Sequence, residues 1–490
     1  MGGVRPGLGS AYEASLAGAR AAVLTRLWRA LAFEPLPWVV RREHGPDSLT
    51  LLLADGRRLE GPAADPYATG DRVDELRLDG RGHRQAARLV EALGAAHGSA
   101  FAAELDDSTA SLALSRAGQP TGPRAEPDTG WEWEQRVVDG HPYHPNCRSR
   151  PGFSVAEQLA YAPEHRPVVE LGLVPVPARE CLVSGLWPDH LREGDRILLP
   201  VHPWQAEHVL KGEAAGAGFA AHPLMALRTL APAEGGPHVK TALSTRLTSS
   251  VRDISGYSVE TAAVVSAFAH ALSERLDGRL HITRTLGAAT AHSPDLAAVL
   301  REPPETYAGP GERVVPVAAL AGTRLARSAA WRAEFARLAL SVCLRVLDLG
   351  VALEAHGQNL LVVLSADGAP LRLVYRDLAD IRISPARLAR HGLPVPPLSG
   401  RIVTDDETVL RRKLFGSLAA GALASTAGSS AAFGEDLAAA LDGLAPTADS
   451  RLLHGPLPVK ALTLMRLSPG VPGDQWAQLP SPLTGGPVGG

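Results

Sequence analysis

The sequence predicts a mixed α/β chain of the α+β kind, built from two or three parts in which antiparallel hairpins alternate with amphipathic helices. Three observations carry this reading. His238 to Ser255, HVKTALSTRLTSSVRDIS, alternates apolar and polar residues as a strand does and runs into a polar turn. VALEAHGQNLLVVL, SADGAP and LRLVYRD make a hairpin pattern around an Asp-Gly turn at Asp367 and Gly368. Just before that hairpin, AAWRAEFARLALSVCLRVLDLG has the period of a long amphipathic helix ending at Gly350.

At 490 residues the chain is long for a single core. A formal net charge of −3 gives no electrostatic case for nucleic acid or an anionic membrane surface. Cys147, Cys181 and Cys343 make neither a metal spacing nor a disulfide framework, which fits a reducing cytoplasm. The amino terminus runs into an arginine-containing helix pattern, Ala14 to Ala32, without the apolar core of a secretion signal. No apolar run is long enough to span a membrane.

Residues 1 to about 130 read as scaffold. Leu24, Leu27, Trp28 and Leu31 share a helical face, Leu49 to Leu53 opens a hairpin, and Arg84 to His97 is a second helix. The Pro/Gly-rich passage Ala117 to Thr129 marks a boundary. GHPYHPNCRSRPGFS, Gly140 to Ser154, follows as a loop, because a residue before proline is pushed out of the α region. Its His141 and His144 lack a third metal ligand of matching spacing, so with Arg148 and Arg150 they read better as contacts to phosphate. In DRILLPVHPWQ, Asp195 to Gln205, His202 reads as a satisfied loop histidine, with a ligand-facing group as the alternative.

If His238 to Ser255 is one strand, Val239, Thr241, Leu243, Thr245 and Leu247 face one way, and Lys240, Ser244, Arg246 and Thr248 the other. A half-buried strand with a solvated face fits this alternation. So does an anion site, with Arg228 and Thr229 on its edge and Arg252 just beyond the turn. The chain carries 49 Lys+Arg but only four lysines, Lys211, Lys240, Lys413 and Lys460, so Lys240 stands out as a compact charge suited to phosphate.

Farther on, Glu354, His356 and Gln358 face one way if extended, with Asn359 opposite unless the chain turns. Glu354, Asn359 and Asp377 offer the oxygen ligands magnesium takes; a polar strand edge without metal is the plain alternative. Asp405 to Leu444 reads as helical, with a loosely packed Ala/Gly/Ser-rich interruption at Leu418 to Ala432. Lys460 and Arg466 fall on an expected last helix, and SPLTGGPVGG reads as a disordered tail.

The ordered motifs GHPYHPxxxSRxGF, PVHPWQ, RTL, KTALSTRLTSSVRDI, EAHGQNLLVVL, YRDLADIR and VKALTLMRL together resemble the NRPS-independent siderophore (NIS) synthetase, or IucA/IucC, family from about Gly140 to Leu467. The resemblance implies a three-part cupped hand with antiparallel sheets: thumb at 1–135, fingers at 136–322 and a helical palm at 323–490. It implies an ATP- and Mg²⁺-dependent ligase that adenylates a carboxylic acid, citrate or a related one, and condenses it with an amine, hydroxylamine or alcohol.

Carried over by motif, His144, Arg148, Arg150, Arg228, Thr229 and Lys240 contact ATP, as do Glu354, Asn359 and Asp377, which also serve the metal. Thr248, Arg252, His356 and Gln358 line the carboxylate pocket. Lys240, Arg252 and His356 are the catalytic candidates, with Lys460 and Arg466 as further basic groups. A homodimer without nucleic-acid or membrane partners is implied as well. Two departures stand out: Arg148 replaces the family's lysine, and Ala226 replaces the serine two residues before the arginine of the RT motif. A kinase-like phosphotransferase is the competing enzyme class, since HGQNLLVVL and YRD resemble a catalytic loop ahead of a metal-binding aspartate, but no GxGxxG loop accompanies them. A degenerate carboxylate-binding homologue is the non-catalytic alternative.

Overall fold

The computed structural model describes residues 3–122, 125–211, 216–247 and 250–484. Its amino-terminal unit packs the helices Gly9–Phe33, Ala86–Leu93 and Gly98–Ala117 on a five-stranded antiparallel meander, Val39–His44, Ser48–Leu53, Arg58–Pro62, Leu76–Leu78 and Arg81–His83. The expected helix face is the one buried: Leu24, Leu27, Trp28 and Leu31 meet Leu49, Leu51 and Leu59 in one core.

The middle of the chain builds a nine-stranded sheet in which every neighbour is antiparallel. Its spatial order is Leu182–Gly185, Thr285–Thr290, Ala297–Arg301, His238–Thr241, Thr229–Pro232, Gly216–Pro223, Val169–Pro177, Arg196–Val201 and Arg192–Glu193. A third sheet of four strands, Leu280–Ile282, Pro370–Tyr375, Leu360–Leu364 and Arg313–Pro316, is backed by the helix Ala329–Asp348. The Asp-Gly hairpin at 367–368 joins two of these strands as expected. One pairing departs from the antiparallel expectation, because Leu280–Ile282 runs parallel to Pro370–Tyr375. A parallel pair needs a long crossover, and here the chain returns through the nine-stranded sheet between them.

The expected divisions at 136 and 323 do not coincide with the packing. Val265, Ala269 and Leu272, with the strands Leu280–Ile282 and Arg313–Pro316, belong to the core of the third unit. Ala461, Leu464, Leu467 and Ala477 belong to the core of the first.

Four local expectations are corrected. The stretch 238–255 is not one strand. His238–Thr241 stays in the large sheet, whereas Leu243–Leu247 pairs only with Ser250–Arg252. The ladder stops because the Gln205 side chain intercepts the Ser244 amide at 2.8 Å, supplying the acceptor a strand neighbour would offer. Leu418 to Ala432 is tightly packed, not loose. Phe415–Leu423 is a wide-turned helix with Leu418, Ala419, Ala420 and Ala422 buried, and Gly416 lets it approach within van der Waals reach of Pro458 and Trp476.

Lys460 and Arg466 share no helix. Lys460 ends the strand Leu457–Lys460 and Arg466 lies in the helix Leu462–Leu467. Finally, Pro482–Thr484 forms a helical turn with Leu483 packed on the core, while the rest of the expected disordered tail, 485–490, lies outside the described residues.

Candidate active site

Where the nine-stranded sheet meets the end of the Asp-Gly hairpin, Lys240 Nζ lies 2.8 Å from both Oδ1 and Oδ2 of Asp377. Each partner is placed by backbone. Lys240 pairs with Thr229 across the sheet, and the amide of its neighbour Thr241 donates to the Arg228 carbonyl at 2.9 Å, which sets Arg228 beside it. Asp377 follows the strand Pro370–Tyr375 in a left-handed conformation, φ 72°, one that aspartate tolerates better than most residues.

Burial pushes Lys240 down to about 8 against the pull of Asp377. Burial alone would raise Asp377, but Lys240 and Arg301 hold it well below the usual carboxylate range. Arg228, pushed down by burial to about 10, donates to the carbonyls of Arg252 and Asp253 and so ties the Leu243–Arg252 hairpin over the site. Thr229 is buried there.

A second group of charges centres on Glu354. Its carboxylate lies 2.9 Å from Lys413 Nζ, 3.4 Å from Lys460 Nζ and 4.0 Å from His356 Nε2. Burial would raise Glu354, yet His356, Lys413 and Lys460 bring it down to about 2. His356 Nδ1 accepts from the Gln358 amide at 3.3 Å, which leaves Nε2 to face Glu354. Burial lowers the pKa of His356, with Glu354 opposing. The chain turns at this point, with the Asn359 amide donating to the His356 carbonyl at 2.9 Å, so Asn359 stands near Glu354 and its Nδ2 lies 3.4 Å from that residue's carbonyl oxygen. Arg252, whose pKa burial lowers, is within electrostatic reach of Asp377, Glu354 and Asp380. Its guanidinium donates to the Leu247 carbonyl at 3.0 Å. Thr248 lies outside the described residues.

The His-Pro loop splits. His141 and His144 stack with centroids 3.6 Å apart and planes 1° from parallel. Burial keeps both neutral, His141 being pushed down to about 3; the charge of His356 acts on His141 and that of Lys460 on His144, which places the pair beside the Glu354 group. His144 Nδ1 is buried with no hydrogen-bond partner among the described residues.

Arg148 and Arg150 are not brought there. Both guanidinium groups pair with the fully buried carboxylate of Glu164, at 3.4 and 2.7 Å, and Arg148 also donates to the carbonyls of Val137 and Val138. The basic loop was expected to present them to phosphate; the acid that neutralises them comes from the turn Pro163–His165. Arg466 likewise pairs with Glu104 at 3.0 Å, away from Glu354. His202 caps the short helix Pro203–His208 through Nδ1, but its Nε2 is buried without a hydrogen-bond partner among the described residues, so the satisfied-histidine reading holds for one nitrogen only.

Two basic residues at the site went unassigned from sequence. Lys413 carried a signal, being one of only four lysines. Arg301 carried none.

For magnesium the donors divide. Asp377 and Asn359 stand at adjacent ends of the hairpin strands, the Arg376 amide donating to the Asn359 carbonyl at 3.0 Å, and offer a carboxylate and an amide oxygen next to Lys240. Glu354 fits poorly, since two lysines already neutralise it. Among the described residues the geometric cluster of potential metal ligands is elsewhere, at the surface residues Glu157, Glu207 and His208.

Residues 129–322 match the model of the IucA / IucC family and residues 329–441 that of the ferric iron reductase FhuF-like transporter. Over residues 129–322 the chain is therefore similar to the IucA/IucC family. It is 24% identical over 315 residues to the citryl-spermidine/3,4-dihydroxybenzoyl-citryl-spermidine:spermidine ligase of Bacillus anthracis, covering 51% of each chain. The curated relatives it matches are spanned over about half to three-fifths of their length. Its fold is that of the petrobactin biosynthesis protein AsbB from Bacillus anthracis, with a TM-score of 0.79 at 18% identity over 96% of both chains. It is also that of ATP-bound aerobactin synthetase IucA from a hypervirulent pathotype of Klebsiella pneumoniae, with a TM-score of 0.75 at 20% identity over 95% of this chain and 99% of the other. Among the described residues no helix is long and apolar enough to cross a membrane.

Proposed function

We propose that this protein is an AMP-forming carboxylate–amine ligase that adenylates a citrate-like acid with ATP and passes the acyl group to an amine, hydroxylamine or alcohol. The observation that carries the reading is the adjacency of two cation groups with different geometry. Lys240, Arg228 and Arg301 surround one carboxylate, Asp377, and so suit a polyanionic triphosphate. Lys413 and Lys460 flank Glu354, with His356 beside them and Arg252 within electrostatic reach of both groups, and so suit a second, carboxylate-bearing substrate. The citryl-named relative and the ATP-bound neighbour of the same fold support the use of ATP and a citrate-like acid.

In the first half-reaction a carboxylate oxygen of the acid forms a bond to the α-phosphorus while the bond to the bridging oxygen of pyrophosphate breaks, and pyrophosphate leaves with that electron pair. Two anions must approach one another. Lys240 and Arg228 on the phosphate side and Arg252 on the acid side lower their repulsion and align them. Magnesium, held through Asp377 and Asn359, would supply further charge neutralisation at the phosphates. In the second half-reaction the nucleophile's lone pair attacks the acyl carbon, AMP departs, and the nucleophile loses a proton. His356, neutral through burial, is the candidate to take it at Nδ1, the nitrogen with the free lone pair, which here accepts from the Gln358 amide. Dimerisation and a cytoplasmic site of action rest on the family resemblance and the cysteine usage.

The test is pyrophosphate release from ATP and Mg²⁺ over citrate, 2-oxoglutarate and succinate, with hydroxylamine as surrogate nucleophile. Acid-dependent pyrophosphate and AMP with hydroxamate, lost in Lys240→Ala and Arg252→Ala, is the expected result. ADP as product would favour the phosphotransferase instead, and no turnover in a folded, ATP-binding protein would favour the degenerate homologue.

A further inference from the structure

Arg301 has a guanidinium whose NH1 makes no hydrogen bond among the described residues. It closes the strand Ala297–Arg301, lies opposite His238 on Lys240's own strand, and is nine-tenths buried. Its NH1 atom has no hydrogen-bond partner and points toward Asp377, whose Oδ2 is 3.9 Å away. That distance is too long for a hydrogen bond, and both oxygens of Asp377 already face Lys240.

The other acids nearby are engaged. Glu134 pairs with Arg376 at 2.6 Å, and Glu302 holds Arg284 and accepts the Tyr307 hydroxyl at 2.6 Å. Lys240, Arg301 and the half-buried Arg228 therefore act on one carboxylate, and the Arg301 NH1 stands too far from it to hydrogen-bond. A buried guanidinium nitrogen without an acceptor is costly unless something supplies one, and the acceptor that fits here is anionic.

We propose that Arg301 is a triphosphate-binding residue whose NH1 donates to a phosphate oxygen of the nucleotide. The inference rests on the ATP reading of the same site. On nucleotide entry Lys240 turns from Asp377 to phosphate and Arg301 gains its missing acceptor, so the two basic side chains, on neighbouring strands, hold the triphosphate from the sheet side while Arg228 approaches from the edge. A purely structural Arg301, a distant counter-ion of Asp377, would instead be insensitive to phosphate.

The experiment uses the full chain as wild type, Arg301→Gln and Arg301→Lys, titrated calorimetrically with inorganic pyrophosphate and assayed for acid-dependent hydroxamate formation. In Arg301→Gln the Kd for pyrophosphate and the KM for ATP are expected to rise about 10- to 100-fold, the loss of one charge-assisted hydrogen bond, with KM for the acid unchanged. Arg301→Lys keeps the charge and falls between wild type and Arg301→Gln. Unchanged pyrophosphate affinity and KM for ATP in Arg301→Gln overturn the inference. So does an equal loss in both variants accompanied by a lowered Tm, which marks a structural role. If Arg301→Gln does not fold, Arg301→Lys decides alone: a raised KM for ATP with unchanged KM for the acid supports the inference, and an unchanged KM for ATP overturns it. Wild-type protein that binds neither pyrophosphate nor ATP overturns the nucleotide reading itself, a separate failure from loss confined to the variants.

Discussion

Lys240 and Asp377 neutralise one another through both carboxylate oxygens, each 2.8 Å from Nζ. The pair joins the residue best suited to phosphate with the residue best suited to a metal, so the site holds its own charges in balance until a ligand separates them. Asp377→Asn keeps the shape and removes the negative charge. Metal-free pyrophosphate should then bind more tightly than to wild type, because the repelling carboxylate is gone, while Mg²⁺-dependent turnover falls about 100-fold. Calorimetry without metal and steady-state rates with it check the two opposite signs.

The alkaline limb of activity should report Lys240. With its pKa pushed down to about 8, Lys240 is cationic below that pH and neutral above it. The value of kcat/KM for ATP, which reflects the free enzyme, is expected to fall as pH rises through about 8. Arginine stays charged throughout, so Lys240→Arg, whatever its absolute rate, should lose this limb. A pH profile of both proteins between neutral and mildly alkaline pH makes the comparison.

What the sequence made legible was local. Lys240, Arg228 and Thr229 come together because one hairpin, with its Gly-rich turn at 234–237, carries them. Glu354, His356 and Asn359 come together because one loop does. Ion-pair partners distant in sequence were not legible, because periodicity says which face a side chain takes but not what packs on it. Arg148 and Arg150 read as phosphate ligands until Glu164 is seen between them. Lys413 meets Glu354 from 59 residues away. The same blindness hid the interleaving of the cores, since Leu464 and Leu467 pack with Leu31 and Phe101 across most of the chain.

Glu354 offers a direct contrast between a metal ligand and an organiser of cations. If it orients Lys413 and Lys460, Glu354→Gln leaves the Mg²⁺ concentration needed for half-maximal rate unchanged and shifts KM for the acid about tenfold. A raised Mg²⁺ requirement with unchanged KM for the acid would restore the role expected from sequence. Magnesium and acid titrations of one variant separate the two.

The Arg148–Glu164–Arg150 group should matter to stability. Glu164 is fully buried and also accepts from Ser115 Oγ at 2.6 Å. Removing it leaves two buried guanidinium groups uncompensated, so Glu164→Ala should destabilise by about 3–5 kcal/mol. Arg148→Lys, although it restores the family's residue, should cost stability as well. A single ammonium cannot reproduce the planar fork that reaches Val137, Val138 and Glu164 together. Denaturant unfolding of both variants reads the two losses.

Glu34 ties the first unit to the last helix and makes that junction pH-dependent. Its carboxylate, at the end of the helix Gly9–Phe33, accepts from the amides of Thr463 and Leu464 at 3.2 and 2.7 Å. Burial raises it from 4.5 to about 7 in spite of those bonds. A carboxyl whose folded pKa is raised is best tolerated protonated, so its contribution to stability is fully present below the unfolded pKa and lost as pH climbs through the folded one. The loss amounts to roughly 3 kcal/mol between pH 4.5 and 7 and then levels off. Glu34→Gln, neutral at every pH, should match wild type near pH 5 and exceed it near pH 8, so the difference in Tm between the two proteins should open in the variant's favour across that interval. A difference that stays flat with pH would mean that Glu34 is ionised in the folded protein throughout, held so by the two amides it accepts from.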